Sequence, residues 1–233
     1  MQRATNASAV SDRFVQRVAK GKTAFVVSGE AGLARVPSQL RANREVTLLW
    51  SDLAEARRWA GILAKGPRIK QLTIRDLLGE VLPKLAELKR LVGPDWASDP
   101  VEPEAEPIEL ARQLRRAMVD QFAVEAVAQG HVYILMGVDG PLRFMSRNVE
   151  GAFVLPVWSE IASAEARIEG PYVDAVPARI MLDDFRRRML MWAVETKTRI
   201  APAYCEGPGV IELEVWDVKG RLKLDAAGGR GAA

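Results

Sequence analysis

The feature that most constrains this chain is an internal duplication. When the 233-residue sequence is shifted by 108 positions, residues 10–96 align with residues 118–204, and 16 of the aligned positions are identical. Unrelated segments of average composition would share roughly six. The identical pairs include Gly29/Gly137, Arg35/Arg143, Trp50/Trp158, Ser51/Ser159 and Lys89/Lys197. The chain is therefore predicted to contain two copies of one domain, with compensating gaps between residues 60 and 72.

Each copy combines helical and strand patterns. Apolar residues share one face of a helix over Ser11–Lys20, which Ser11 or Asp12 would cap. Short apolar runs, Ala24–Val27 and Val132–Leu135, end at glycine-bounded turns, which favours antiparallel hairpins. Each copy is predicted to run helix, antiparallel hairpin, strand, helix, strand, helix. The predicted fold class is therefore α+β, with two homologous small domains in tandem.

Two local predictions refine this order. The helix after the second buried strand is expected to begin at Ser51 in the first copy and at Ser159 in the second, with the serine hydroxyl as the cap. In the third helix of the first copy, Pro83 should break or kink the backbone. Met191 holds the equivalent position in the second copy, where the helix should continue.

Proline, glycine and acidic residues set the predicted domain boundaries. Three prolines in the acidic segment SDPVEPEAEPIE predict an extended linker. The pattern after the second copy predicts a strand, a turn and a strand, and the Gly- and Ala-rich end predicts a disordered tail. The predicted divisions are copy one at 1–96, the linker at 97–112, copy two at 113–204, a C-terminal β-hairpin at 205–224 and the tail at 225–233.

Charge is unevenly distributed along the chain. Residues 1–96 contain 17 Lys or Arg and 9 Asp or Glu, whereas residues 97–233 contain 16 and 21. The basic half could attract phosphates or an acidic partner. We favour a solvated surface that the acidic linker balances. Nucleic-acid binding ranks lower because the arginines and lysines are not interleaved with aromatic residues.

Few side chains suit catalysis. His131 has no matching nucleophile or metal partner, and Cys205 lies in an acidic segment, so we favour a strand-edge histidine and an incidental thiol. Asp183 and Asp184 fit a helix start better than an acid–base pair. The sequence predicts no catalytic residue, metal site or cofactor, and a non-enzymatic role is favoured while the enzyme question stays open.

Two recurring pairs are candidates for contact with a partner or an anion. Arg35 and Arg143 follow the hairpin turn in each copy and could bind a carboxylate, although a cross-strand salt bridge or plain exposure is favoured. Trp50 and Trp158 could anchor an interface, although a core position is favoured because they end buried strands.

The same segments resemble a known family. Leu48–Ser51, Leu82–Leu85 and Leu91–Trp96, with Leu155–Ser159 in the second copy, resemble the bacterial family known as Domain of Unknown Function 2750. That family usually forms one compact domain, so the resemblance implies a tandem version. A fainter likeness is to the enhanced serine sensitivity protein B family, which is linked to secretion. Neither resemblance supplies a catalytic residue.

These observations favour a non-catalytic protein-interaction module, of the toxin-neutralising or secretion-accessory type by analogy. The two copies are expected to pack side by side as an internal pseudo-dimer, and the oligomeric state stays open. The alternative is a small-molecule-binding protein or an enzyme that uses a cleft between the copies, with Arg35 and Arg143 facing it. A third possibility is nucleic-acid binding by the first copy. No apolar run reaches the length of a membrane span and no secretory signal is present, so we expect a cytoplasmic protein without membrane partners.

Overall fold

The two copies contain the same helices and strands in the same order, 108 residues apart. The computed structural model describes residues 2–30, 32–97, 102–168, 172–207 and 209–222. The chain divides into two units by internal contacts. One unit comprises the residues up to Ala117 together with Cys205–Gly209, and the other comprises Met118–Tyr204 and the residues from Val210 on. Among the described residues, no helix is long and apolar enough to cross a membrane.

Among the residues that the structure describes, the first copy has six strands together with its helices. The strands are β1 (Thr23–Gly29), β2 (Gly32–Leu33), β3 (Arg35–Pro37), β4 (Glu45–Trp50), β5 (Arg68–Thr73) and β6 (Leu91–Pro94). The helices are α1 (Gln2–Gly21), α2 (Leu53–Leu63), α3 (Ile74–Asp76), the π-helical segment π1 (Leu77–Val81), α4 (Leu82–Glu87) and α5 (Pro107–Gln129).

The second copy repeats this order from the end of α5 onward. Its strands are β7 (His131–Gly137), β8 (Gly140–Pro141), β9 (Phe144–Met145), β10 (Phe153–Val157), β11 (Val176–Met181) and β12 (Thr198–Pro202). Its further helices are α6 (Ile161–Glu165), α7 (Leu182–Asp184), π2 (Phe185–Met189), α8 (Leu190–Glu195) and α9 (Val215–Arg221). Strands β5 and β11 start 108 residues apart. The compensating gaps expected before them therefore do not change the offset of 108 residues between the two copies.

Strand β4 lies inside the sheet of the first copy. Its last residues pair with β1, while β3 and β6 both pair with Val46, antiparallel and parallel respectively. A strand has two edges, so β3 and β6 must lie on opposite sides of β4. This interior position explains why five of its six residues are buried. The outer strand β5 pairs along β1, from Thr23↔Thr73 to Ser28↔Arg68.

The second copy forms two three-stranded sheets from the equivalent strands. Strand β7 pairs with β8 and β11, and β10 pairs with β9 and, in parallel, with β12. A single bridge between Tyr133 and Trp158 joins β7 to the end of β10. It occupies the place of the Phe25↔Trp50 pairing in the first copy. The α+β fold class and the hairpin in each copy are therefore confirmed.

The core of each copy is formed by buried residues of both its strands and its helices. The helix face predicted in the first copy, Phe14, Val15 and Val18, is buried. In the second copy, Phe122 and Phe185 pack in one cluster with the strand residues. Each large side chain of this kind contributes about 2 kcal/mol through burial. The first helix begins at Gln2, so neither Ser11 nor Asp12 caps it.

The acidic linker and the C-terminal hairpin of the sequence analysis are one repeated element. Ala105 pairs with Val92 and, 108 residues later, Leu213 pairs with Ile200. A helix follows each bridge, α5 in the first copy and α9 in the second. The prediction of an extended linker at 97–112 is therefore wrong from residue 107, where α5 begins, and the prediction of a hairpin at 205–224 is wrong because α9 lies there. Residues 98–101 and the predicted tail at 225–233 lie outside the described residues.

Two sequence features explain these corrections. Pro107 is the first residue of α5, where a missing N–H is tolerated and the fixed φ favours a helix, so it starts the helix instead of breaking it. In the C-terminal segment, Val215, Val218 and Leu222 are buried. Their spacing of three and four residues is helical and does not alternate as a strand would.

The helix caps also differ from the predictions. In α2 the cap is Asp52, whose carboxylate accepts hydrogen bonds from the N–H groups of Ala54 (2.7 Å) and Glu55 (3.2 Å). Glu160 holds the equivalent position before α6. The serines that were expected to cap these helices, Ser51 and Ser159, each precede the N-cap residue by one position. Their hydroxyls donate instead to Asp95 and Glu125. The aspartate is favoured because its oxygen reaches the free amides of the first turn.

The helix after β5 contains a π segment in both copies. In π1 and π2, the residue that follows the segment donates its N–H to the carbonyl five residues back. Pro83 is the second residue of α4, which follows π1 directly, and the backbone stays helical from Ile74 to Glu87. The second copy has Met191 there and the same irregularity, so the expected difference between the copies is wrong.

Candidate functional site

The tryptophans proposed as partner contacts lie in the core. Trp50 is fully buried and Trp158 nearly so. The indole N–H of Trp50 donates to the Trp96 carbonyl (3.3 Å), and that of Trp158 donates to the Tyr204 carbonyl (2.8 Å). These bonds are equivalent in the two copies. Both side chains therefore satisfy their polar atom inside the domain and present no surface to a partner.

The paired arginines have different surroundings. The Arg35 Nε lies 3.1 Å from Oε1 of Glu45 in a half-exposed, cross-strand ion pair. Arg143 lies over the Phe153 ring, 4.5 Å from its centroid, and donates to the Thr198 hydroxyl (3.1 Å). Phe153 occupies the position of Glu45, so the change from carboxylate to ring explains the change from ion pair to cation–π contact.

The remaining candidates for chemistry have structural roles. The His131 Nδ1 lies 2.9 Å from the Gln129 carbonyl at the start of β7. Cys205 is buried, and this burial raises the pKa of its thiol. Asp183 and Asp184 form ion pairs one turn along the helix with Arg186 and Arg188, and neither carboxylate caps the helix. No group of three metal-ligating side chains occurs in the part of the chain that the structure describes.

A groove occurs at the same place in both copies. The first groove has a volume of about 570 Å³ and lies between the turn before β4, the end of α4 and the residue before α5. The second groove, of about 490 Å³, lies between the turn before β10, the end of α8 and the start of α9. Six of the eight lining positions of the first groove also line the second. They are 43/151, 44/152, 86/194, 89/197, 90/198 and 106/214.

A lysine in a left-handed backbone conformation lines each groove. Lys89 has φ 53° and Lys197 has φ 50°, a region that favours glycine. At two other shared left-handed positions the second copy has glycine, with Gly130 opposite Lys22 and Gly151 opposite Asn43, whereas at a third Ala203 lies opposite Asp95. Position 89/197 therefore keeps lysine in both copies, and both lysine side chains are exposed.

The first groove contains a network of charges. The Arg44 guanidinium donates two hydrogen bonds to Glu106, at 2.5 and 3.0 Å, and Arg41 donates a third, at 2.5 Å. The bonds from Arg44 chiefly, and the charge of Arg41, hold the pKa of Glu106 below its ordinary value. The Nε of Arg44 also donates to the Lys89 carbonyl (2.9 Å), which ties the network to the left-handed turn.

The second groove is bordered by apolar side chains. Trp216 is 63% exposed, Val149 is 40% exposed and Val194 is 41% exposed, and all three line it. The Lys219 ammonium lies 5.6 Å from the centroid of the Trp216 ring. Glu214 retains an ion pair here, with Arg199. The grooves therefore share a lysine and a paired glutamate but differ in the chemistry of their borders.

Sequence reasoning missed both grooves because it ended each copy too early. The duplication continues through residues 97–114 and 205–222, where Glu104/Glu212 and Glu106/Glu214 are identical. The structure gives the first of these pairs one role. Glu104 accepts the Ser38 hydroxyl and Glu212 accepts the Ser146 hydroxyl, each at 2.5 Å. An alignment extended past residue 96 contains the signal for this edge of the groove.

Comparisons with known proteins agree with this extended repeat. The sequence model of the family described as Protein of unknown function (DUF2750) matches residues 11–114 and again residues 119–222. No curated protein matches the chain. Solved structures with some similarity include Tic22 from Anabaena (protein transport), with 10% identity, a TM-score of 0.26 and coverage of 81% of this chain and 91% of that one. Another is Tic22 from Plasmodium falciparum, with 12% identity, a TM-score of 0.24 and the coverages 81% and 91%.

Proposed function

The chain belongs to the family of proteins of unknown function DUF2750, in two tandem copies, and we propose that it is a non-catalytic protein-interaction module. Its docking sites are the two equivalent grooves. The observation that carries the proposal is the exposed Trp216, which borders the second groove together with Val149 and Val194. Tryptophan is enriched among the side chains that dominate binding energy at protein interfaces.

The second groove suits an apolar side chain of a partner protein. Such a side chain would lose contact with water against Trp216, Val149 and Val194, and burial of apolar surface is the main driving force of association. Lys197 and the Glu214–Arg199 pair surround the apolar area with charge. An apolar centre with a polar rim is the usual composition of a protein-binding patch.

The duplication supports the same role. Each copy forms the groove from equivalent turns and helix ends, and each retains its lysine in the left-handed conformation. Two related sites in one chain increase the overall affinity for a partner that can occupy both. By analogy, the proposal also includes three earlier expectations. They are a role of the toxin-neutralising or secretion-accessory type, a bacterial and cytoplasmic setting, and side-by-side packing of the two copies as a pseudo-dimer.

Site-specific photo-crosslinking tests this proposal. A photoreactive residue replaces Val194 in the second groove, and in a matched chain it replaces Val138, which is 95% exposed at the hairpin turn. In the cells that produce the protein, we expect a discrete protein adduct from the groove position and none from the hairpin position. The same adducts from both positions, or none from either, would contradict a docking role for the groove.

A further inference from the structure

The first groove is surrounded by more positive than negative side chains. Glu45 is shared by two arginines, with Arg35 at 3.1 Å and Arg90 at 3.2 Å. Glu106 is shared in the same way by Arg41 and Arg44. One carboxylate between two guanidinium groups leaves part of the positive charge without compensation.

Two further charged residues complete the balance. Lys89 adds a fifth cation at the groove and is exposed. The carboxylate of Glu104 is nearby, but it accepts hydrogen bonds from the Ser38 hydroxyl (2.5 Å) and the Gln39 N–H (2.7 Å). Of the charged residues that line the groove, three are cationic and two are carboxylates. With the neighbouring Arg35, Arg41 and Glu104, the balance is five cations to three carboxylates.

Burial strengthens the effect of this surplus. The Arg44 and Arg90 side chains are only 22% and 21% exposed. Charges that are shielded from water act on an incoming anion more strongly than fully solvated charges do. An anion that enters the first groove would therefore meet partly buried cations. Glu45 and Glu106 already hold these cations in place before the anion binds.

The second copy lacks this surplus. At the positions of Arg41, Arg44 and Arg90 it has Val149, Ala152 and Thr198. Its equivalent lysine lies instead beside apolar residues. The two grooves have thus diverged in the charge of their borders while keeping their position in the fold.

We infer that the first groove binds an acidic segment of the partner protein, with one carboxylate on Lys89 and another on the Arg44 and Arg90 side of the groove. This inference rests on the proposed function and specifies the chemistry of one of its two sites. Carboxylates fit the site because arginine presents parallel N–H donors to them. The first copy would then bind an acidic segment of the partner, and the second copy would bind an apolar segment.

Fluorescence anisotropy with a fluorescein-labelled hexaglutamate peptide and the full chain tests this inference. We expect Lys89→Gln and Arg90→Gln each to weaken binding roughly threefold, and the double variant to weaken it about tenfold. Lys197→Gln is the matched control, because both lysines have a left-handed backbone and an exposed side chain. It should leave the affinity unchanged.

Several outcomes would overturn the inference. They are no binding of hexaglutamate, equal losses in Lys89→Gln and Lys197→Gln, or binding that persists in the double variant. Displacement of the peptide by inorganic phosphate at lower concentration than by free glutamate peptide would assign the site to phosphate instead. If crosslinking from Val194 succeeds while hexaglutamate fails to bind, this inference falls and the proposed function stands.

Discussion

Replacing the left-handed lysine by glycine should stabilise the protein while weakening its first groove. Lys89→Gly keeps the carbonyl that accepts the Arg44 Nε, because that bond uses only the backbone. It removes the steric cost of a φ of 53° in a residue with a Cβ. Since the lysine side chain is exposed, little packing is lost with it.

The expected gain follows from two opposing effects. A residue other than glycine with a left-handed backbone lowers the free energy of unfolding by about 2 kcal/mol. Because glycine has greater freedom in the unfolded chain, the substitution recovers only roughly half of that amount. The net stabilisation is therefore about 1 kcal/mol, equal to a rise of about 4 °C in the Tm of the unit. Lys197→Gly should give the same gain in the second unit, because its φ is 50°.

Thermal unfolding followed by tryptophan fluorescence measures both variants. Lys84→Gly is the control, since this exposed residue lies inside helix α4, where glycine should cost about 1 kcal/mol. Hexaglutamate binding should fall in Lys89→Gly and stay constant in Lys197→Gly. A lower Tm in Lys89→Gly, comparable to that of Lys84→Gly, would refute the argument that the left-handed lysine at the groove destabilises the protein.

Three further predictions concern the first unit. Asp95→Ala should lower the free energy of unfolding by about 2 kcal/mol in urea titrations, because its carboxylate accepts the Ser51 N–H (2.6 Å) and hydroxyl (2.7 Å); an unchanged midpoint would contradict this. Glu106 has a lowered pKa, so its stabilising effect should be present above the ordinary carboxyl pKa and lost as the pH falls through the lower folded value. Glu106→Gln should flatten that acid limb of the stability profile, and an equally steep limb would count against the role of Arg44. Gly93→Ala should lower the Tm, since an added Cβ would lie 2.5 Å from the Trp96 indole nitrogen; an unchanged Tm would show that the ring can move.

The architecture of each copy was largely readable from the sequence. Glycine-bounded apolar runs predicted the hairpins. The hairpin strands pair through those glycines, Gly29 with Gly32 in the first copy and Gly137 with Gly140 in the second. The family resemblance, carried by segments such as Leu91–Trp96, is confirmed by two matches of the family model. These features depend on local sequence patterns, which is why they could be predicted without the fold.

The wrong predictions, of a linker and of a C-terminal hairpin, relied on local propensity in segments whose structure is determined by tertiary contacts. Prolines and glutamates at 97–112 are typical of a linker, yet Glu104 and Glu106 there bond to the turn before β4. The terminal segment looked like a hairpin because Leu213 and Val215 alternate with polar residues. Leu213 instead pairs with Ile200, more than ten residues back along the chain.

The candidate site was not predicted because its members are distant in sequence. The sequence analysis singled out Trp50 and Arg35, and the structure places the first in the core and the second in an ion pair with Glu45. Lys89 and Trp216 attract no attention as single residues. Only the fold brings the end of α4 and the turn before β4 to one groove, and the equivalent elements of the second copy to another.

The affinity of the crosslinked partner for groove variants tests the central claim most directly. With the purified partner and the full-length chain, we expect Trp216→Ser to raise the Kd about 30-fold, as the loss of an interface hot spot does. Val138→Ser removes an even more exposed apolar side chain from the hairpin and should leave the Kd unchanged. A partner that binds Trp216→Ser as tightly as the natural chain would contradict the claim that these grooves are the docking sites.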